Sequence, residues 1–207
     1  LWAAYILSAM NAPAGRIATA LDWGVLTGGL DSVAAWRSAI ADGSVLRLVS
    51  GLFLHADWIH LLGNLVFLLI FGLPAERAMG PWRFLLLFLV GGAVANVAAV
   101  LSIGTPDRVI IGASGAISAV IGAYLALFPT AKLGVVLPLG LFLEFVKAPA
   151  SLLIGIWALL QVVFAYTGPA FGAVAWWAHI AGFLFGVVFA LFVRAAIARR
   201  MRKRQGY

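Results

Sequence analysis

The sequence predicts an all-α membrane protein, a single membrane domain over residues 1–207 with about six transmembrane helices and a long interfacial first loop. Composition is the first reason: of 207 residues, 64% are hydrophobic and 10% charged, and the mean hydropathy is +1.09. Soluble domains carry about half apolar and about a quarter charged residues. The second reason is a series of apolar runs, each near the roughly 20 residues that cross a hydrocarbon core. The third is the distribution of positive charge, taken up after the runs themselves.

Residues 1–10 are apolar but too short to span, and no charged n-region or small-residue cleavage site marks a signal peptide. They read as the truncated end of a first span. Residues 11–55 form a mixed segment punctuated by Pro13, Gly24, Gly28, Gly29 and Gly43. It is too polar to span and too rich in Leu, Val and Trp to float free, so a folded loop in the membrane interface is expected. Apolar runs follow at 56–73, 82–103, 109–128, 149–166 and 176–197, completing six spans. Between the fourth and fifth lies 133–147, "LGVVLPLGLFLEFVK", interrupted by Pro138 and Gly140 and carrying Glu144. It is expected to rest on the surface. The chain closes in a basic tail at 198–207.

If six spans alternate and the tail is cytoplasmic, the inner side holds Arg77, Arg83, Lys132, Lys147, Arg194, Arg199, Arg200, Arg202, Lys203 and Arg204. Only Arg16, Arg37, Arg47 and Arg108 remain outside. This obeys the positive-inside rule and predicts an integral membrane protein with a cytoplasmic C-terminus. The net charge of +7 is concentrated in "RRMRKR" at 199–204. That run reads as a topology anchor and a contact for anionic membrane lipids, not for nucleic acid. With no cysteine, disulfides, thiol nucleophiles and the usual structural zinc sites are absent.

The polar residues inside the runs carry the functional question. His60 and Asn64 lie in the second span, Ser114 heads the fourth in "IGASGAIS", and His179 lies in the sixth. In the alternating topology all four fall in the outer half of the membrane. Each alone has an ordinary reading. An isolated serine packs helices and bonds its own backbone four residues back. His60 and Asn64, four residues apart on one helix face, serve as interhelical glue. His179 beside Trp176 and Trp177 suits an interface, and His55 at the loop edge reads as structural.

Together they form a different pattern, because buried polar groups in hydrocarbon are costly unless partnered or wetted. Ser114 and His179 can supply a nucleophile and its base, while His60, Asn64 and the Ser114 backbone N–H can donate to a developing oxyanion. None of the seven acids, Asp22, Asp31, Asp42, Asp57, Glu76, Asp107 and Glu144, lies well inside an outer-half span. A Ser-His dyad is therefore expected. "GASGA" is not the G-x-S-x-G nucleophile elbow, since Gly115 takes the fourth place, Ala116 the fifth, and no strand-turn-helix context is expected around it.

His60-Leu-Leu-Gly-Asn64, Gly112-Ala113-Ser114-Gly115 and "AHIAGFLFG" from Ala178 to Gly186, in this order, resemble the rhomboid intramembrane serine proteases. The resemblance covers nearly the whole chain. It implies a six-helix rhomboid bundle, with Ser114 as nucleophile, His179 as general base and then acid, and His60 with Asn64 as oxyanion donors. It implies cleavage of transmembrane protein substrates near the outer face, with no metal or cofactor. Glu76-Arg77 before Gly80 matches the family's turn after the second span. Arg47 stands where a Trp-Arg pair is usual, with Leu46 in place of the tryptophan. Ser118 stands where many rhomboids place an aromatic ring against the catalytic histidine, so either Trp176 or Trp177 substitutes for that ring or His179 is held less rigidly and turns over more slowly.

The small residues fit this reading. Ala178, Gly182 and Gly186 recur every four positions and give the last span a slim face for the helix that starts at Ser114, whereas Phe185 is expected to face away from it. Gly112 and Gly115 are expected to leave room for a substrate backbone, and His60, Asn64 and Ser118 to line a water-filled cavity. The alternative is a non-catalytic rhomboid-like binder or chaperone of transmembrane helices, against which an intact Ser114 and His179 speak. A small transporter would need polar residues in the inner halves of the spans as well, and these show few.

Overall fold

The computed structural model describes residues 1–28, 30–103, 108–139, 142–167 and 175–204. Gly29, Asp107, Gly140 and the last three residues of the basic tail lie outside the described residues. Among the described residues ten α-helices occur in chain order: α1 (Trp2–Ala9), α2 (Pro13–Trp23), α3 (Val33–Ala41), α4 (Arg47–Ser50), α5 (Trp58–Phe67), α6 (Leu73–Met79), α7 (Pro81–Ser102), α8 (Ser114–Leu127), α9 (Ala150–Thr167) and α10 (Trp176–Arg204).

The all-α expectation is corrected to mostly helical, because two antiparallel ribbons are present. In one, β1 (Val25–Leu26) pairs with β2 (Val109–Ile110), with Val25 opposite Ile110. In the other, β3 (Lys132–Leu139) pairs with β4 (Phe142–Pro149) from Lys132 opposite Pro149 to Leu139 opposite Phe142. The segment expected to lie on the surface is thus a hairpin. Val135 stands opposite Val146, a β-branched cross-strand pair that suits a pleated ribbon.

Four described helices are long and apolar enough to cross a membrane: Trp58–Met79, Pro81–Ser102, Ala150–Thr167 and Trp176–Arg200. Their outward faces are apolar as well, with Leu152, Ile156 and Leu159 exposed on α9 and Leu184, Val188 and Phe192 exposed on α10. Such faces match lipid and not water, so the chain is an integral membrane protein. The span expected to stop at residue 73 continues to Met79. A π-helical turn, Leu68–Gly72, precedes Pro74 and joins α5 to α6. The wider turn accommodates a proline that has no N–H to donate and whose ring crowds the preceding turn.

At the centre stands α8, buried from Gly115 to Tyr124. The run expected to span from residue 109 becomes helical only at Ser114, because Val109 and Ile110 are spent on the ribbon with β1. Its 14 residues rise only about 21 Å at 1.5 Å each, short of a hydrocarbon core of about 30 Å. Other helices surround it. A Cβ on Gly182 would overlap the Gly115 carbonyl oxygen and one on Gly186 that of Ala119, so α10 and α8 meet backbone to backbone. On the other side Gly91 and Gly92 of α7 receive Ala119 and Ala116. Phe185 is turned toward α7, where its ring lies against Gly91.

Residues 11–55 are largely helical and grip the loop before α8. Gly112 N–H donates to the Gly51 carbonyl at 2.9 Å, and Thr27 N–H to Arg108 at 3.0 Å. Asn96 of α7 donates to the Leu48 carbonyl at 2.9 Å, and Arg47 to that of Leu21 at 3.0 Å. Leu46, where a tryptophan is usual, is exposed.

Candidate active site

Ser114 is the first residue of α8, and its side chain leaves the helix. Its Oγ lies 2.9 Å from His179 Nε2, 65 residues away on α10. The back-bonding expected of an isolated serine is shown instead by Ser118, whose hydroxyl donates to the Ser114 carbonyl at 2.8 Å. Because α8 begins at Ser114, with Ile117 N–H the first to bond back to Ala113, the N–H groups of its first turn have no helical acceptor. They point toward the same end as the Ser114 hydroxyl.

His60 and Asn64 approach from α5. Asp57 caps that helix by accepting from His60 N–H at 2.8 Å, and this sets His60 in the first turn with Asn64 one turn on. Both face the backbone just before Ser114. A Cβ at Gly112 would come within 2.7 Å of His60 Nε2 and 3.8 Å of Asn64 Nδ2. Gly112 has φ +118°, a left-handed conformation that also favours glycine. Asn64 is 7% exposed, and its Nδ2 has no hydrogen-bond partner among the described residues. A buried donor left open costs free energy unless something else accepts from it.

A side chain at either glycine would meet protein: at Gly112 the His60 ring, and at Gly115 Ala95, whose Cβ would lie 2.5 Å from a Cβ placed there. Room beside Ser114 is present as well, and both glycines line part of it. A cavity of about 390 Å³ is lined by His60, Asn64, Ser114, Ser118, Trp157 and His179 among others. A second of about 400 Å³ touches Ser114 and His179 from the other side, with Arg108 and Ile111 on its wall.

His179 has two supports. Trp176 meets it edge to face with ring centroids 6.0 Å apart, while Trp177 turns to Tyr166. The second support was missed in the sequence: Gln161 of α9 places Oε1 2.7 Å from His179 Nδ1. A signal for it exists, since Gln161 is a lone amide in an otherwise apolar run, the same criterion that singles out Asn64. His55 is 4% exposed and stacks edge-on against His60, with centroids 5.1 Å apart. Among the described residues no group of three or more His, Cys, Asp or Glu could hold a metal ion.

Comparisons with known proteins show the family. The Rhomboid domain matches residues 42–196, which hold all four polar residues. The rhomboid YdcA of Bacillus subtilis is 36% identical over 95 residues, 46% of this chain and 47% of that one. The RHOMBOID-like protein 5 of Arabidopsis thaliana is 31% identical over 44% of this chain and 29% of its own. The rhomboid protease GluP of Bacillus subtilis is 38% identical over 43% of this chain and 17% of its own. The chain thus matches less than half the length of each of these relatives. With the family domain spanning most of the sequence and the polar residues of three of its helices gathered around Ser114, the chain belongs to the rhomboid family.

Proposed function

We propose that the protein is an intramembrane serine endopeptidase that cleaves transmembrane segments of membrane proteins. The observation that carries this reading is the 2.9 Å contact between Ser114 Oγ and His179 Nε2, a nucleophile within hydrogen-bond reach of its base. The Ser114 oxygen bonds to the scissile carbonyl carbon while its proton passes to His179 Nε2. The oxyanion accepts from the Ser114 N–H, Asn64 Nδ2 and His60. Collapse breaks the C–N bond, His179 returns the proton to the leaving amine, and water repeats the sequence on the acyl-enzyme. The unpartnered Nδ2 of Asn64 supports this, since the donor waits for an acceptor that forms only during reaction. No step needs a metal or a cofactor.

In this reading α1 continues a first span, and α5 with α6, α7, α8, α9 and α10 supply the other five of a six-helix rhomboid bundle. The segment 11–55 lies in the outer interface, the basic C-terminus is cytoplasmic beside anionic lipid headgroups, and the site opens toward the outer face of a bacterial inner membrane. The decisive experiment incubates the purified protein, and separately Ser114→Ala, with a transmembrane substrate. Cleavage by the parent alone supports the reading. Equal cleavage by both, or by neither, ends it.

A further inference from the structure

We propose that Gln161 is a positioning residue for the Ser114 and His179 pair: its amide, itself oriented by the Trp157 carbonyl, fixes the imidazole tautomer that leaves Nε2 free to take the serine proton. This inference rests on the serine-endopeptidase reading above.

The argument starts one turn back in α9. The Trp157 carbonyl can only accept, and the Gln161 amide nitrogen lies 3.3 Å from it. The end of the amide facing Trp157 is therefore the NH₂ group. The flipped amide would oppose two carbonyl oxygens in a buried site, Gln161 being 6% exposed. The end facing His179 is then the oxygen, 2.7 Å from Nδ1. An amide oxygen only accepts, so Nδ1 carries the hydrogen. A neutral imidazole has one N–H, so Nε2 holds the lone pair, and the Ser114 hydroxyl 2.9 Å away must donate to it. One carbonyl in α9 thereby sets the direction of every hydrogen in the chain from Ser114 to Trp157.

The residue type suits the solvent. A carboxylate at Nδ1 would orient the ring equally well but would bury a charge in hydrocarbon. Glutamine supplies a fixed acceptor without that charge. The link also joins two helices, since Gln161 belongs to α9 and His179 to α10.

The test compares the full-length parent, Ser114→Ala, Gln161→Leu and Gln161→Glu in detergent micelles. A wrong tautomer in a serine triad lowers kcat by up to about 10⁴, with an ionised partner; for a neutral one, Gln161→Leu is expected to lose about tenfold to a hundredfold in kcat with KM little changed. Gln161→Glu retains an acceptor and is expected to recover at least part of that loss. Independently of activity, ¹⁵N NMR of His179 is expected to show a protonated Nδ1 and an unprotonated Nε2 in the parent, and loss of that preference in Gln161→Leu. Parental kcat in Gln161→Leu, a change confined to KM, no recovery in Gln161→Glu, or the opposite tautomer in the parent would each overturn the inference while leaving Ser114-dependent cleavage intact. Absence of cleavage by the parent would overturn the underlying reading instead, and the NMR result would still report whether Gln161 orients the ring.

Discussion

Gly182 of α10 lies against the carbonyl of Gly115 in α8, with no side chain between them. His179 stands one turn before Gly182, and Ser114 immediately before Gly115, so this contact sets the reach of one side chain to the other. Leucine at Gly182 has no empty space to enter. Overpacking costs about 1–3 kcal/mol, and displacement on the order of 1 Å can cost about a hundredfold in rate. Gly182→Leu is expected to insert in the membrane yet lose most activity. Val188→Leu, on an exposed face of the same helix, is expected to keep it. Rates at matched expression check the pair.

Ser114 should react with serine-directed fluorophosphonates because His179 Nε2 can take its proton. Mass spectrometry is expected to place the label on Ser114. His179→Ala retains the hydroxyl but loses its base, so labelling and cleavage are expected to fall together, to nearly the level of Ser114→Ala. Chelators are expected to leave the parent's rate unchanged.

Asn64 and His60 should give graded losses. Removing one oxyanion donor typically costs about 10²–10³ in kcat. Asn64→Ala is expected to fall in that range, since its Nδ2 has no other partner among the described residues. His60→Ala is expected to differ in degree, because removing its ring also opens a void beside Gly112. Parental rates in both variants would return the pair to helix packing.

His55 provides a pH test of stability. It lies in the loop before α5, outside the spans, and burial, reinforced by nearby His60 and opposed by Asp57, pushes its pKa down from the usual 6.5 to about 4. The folded protein therefore binds this proton less readily than the unfolded chain. Stability is full above about pH 6.5 and erodes as pH falls toward about 4. Thermal midpoints in detergent are expected to drop across that window, and His55→Phe is expected to flatten the drop.

Much of this arrangement was legible from polarity alone. His60, Asn64, Ser114 and His179 interrupt apolar runs, and hydrocarbon makes each interruption expensive enough to need a reason. Gln161 interrupts a run in the same way, but an amide neither attacks, takes up a proton nor carries charge, so its role shows only beside the imidazole it holds. Other features depend on partners distant in sequence. Val109 and Ile110 look like the start of a span until Val25 and Leu26 are known to pair with them. Residues 132–149 have strand-like residues beside leucines that suit either structure, and only the register of the hairpin decides. Gly112 and Gly115 lie at once against His60 and Ala95 and on the wall of a cavity beside Ser114. Whether small residues admit a ligand or a neighbouring side chain depends on what packs there, and sequence does not display it.

The shortness and burial of α8 have a consequence for how the protein experiences its lipid. Acyl chains touch the outer helices and hardly reach α8, so a thicker or thinner bilayer tilts the rim and leaves the helix bearing Ser114 under no mismatch of its own. Among the described spanning helices α9, with 18 described residues, rises about 27 Å and is the shortest. Fatty-acid composition therefore acts first on α9. The spacing of Ser114 and His179 is held by backbone against backbone and is insulated from it, whereas the grip of Gln161 on the imidazole is the point at which acyl-chain length enters the site.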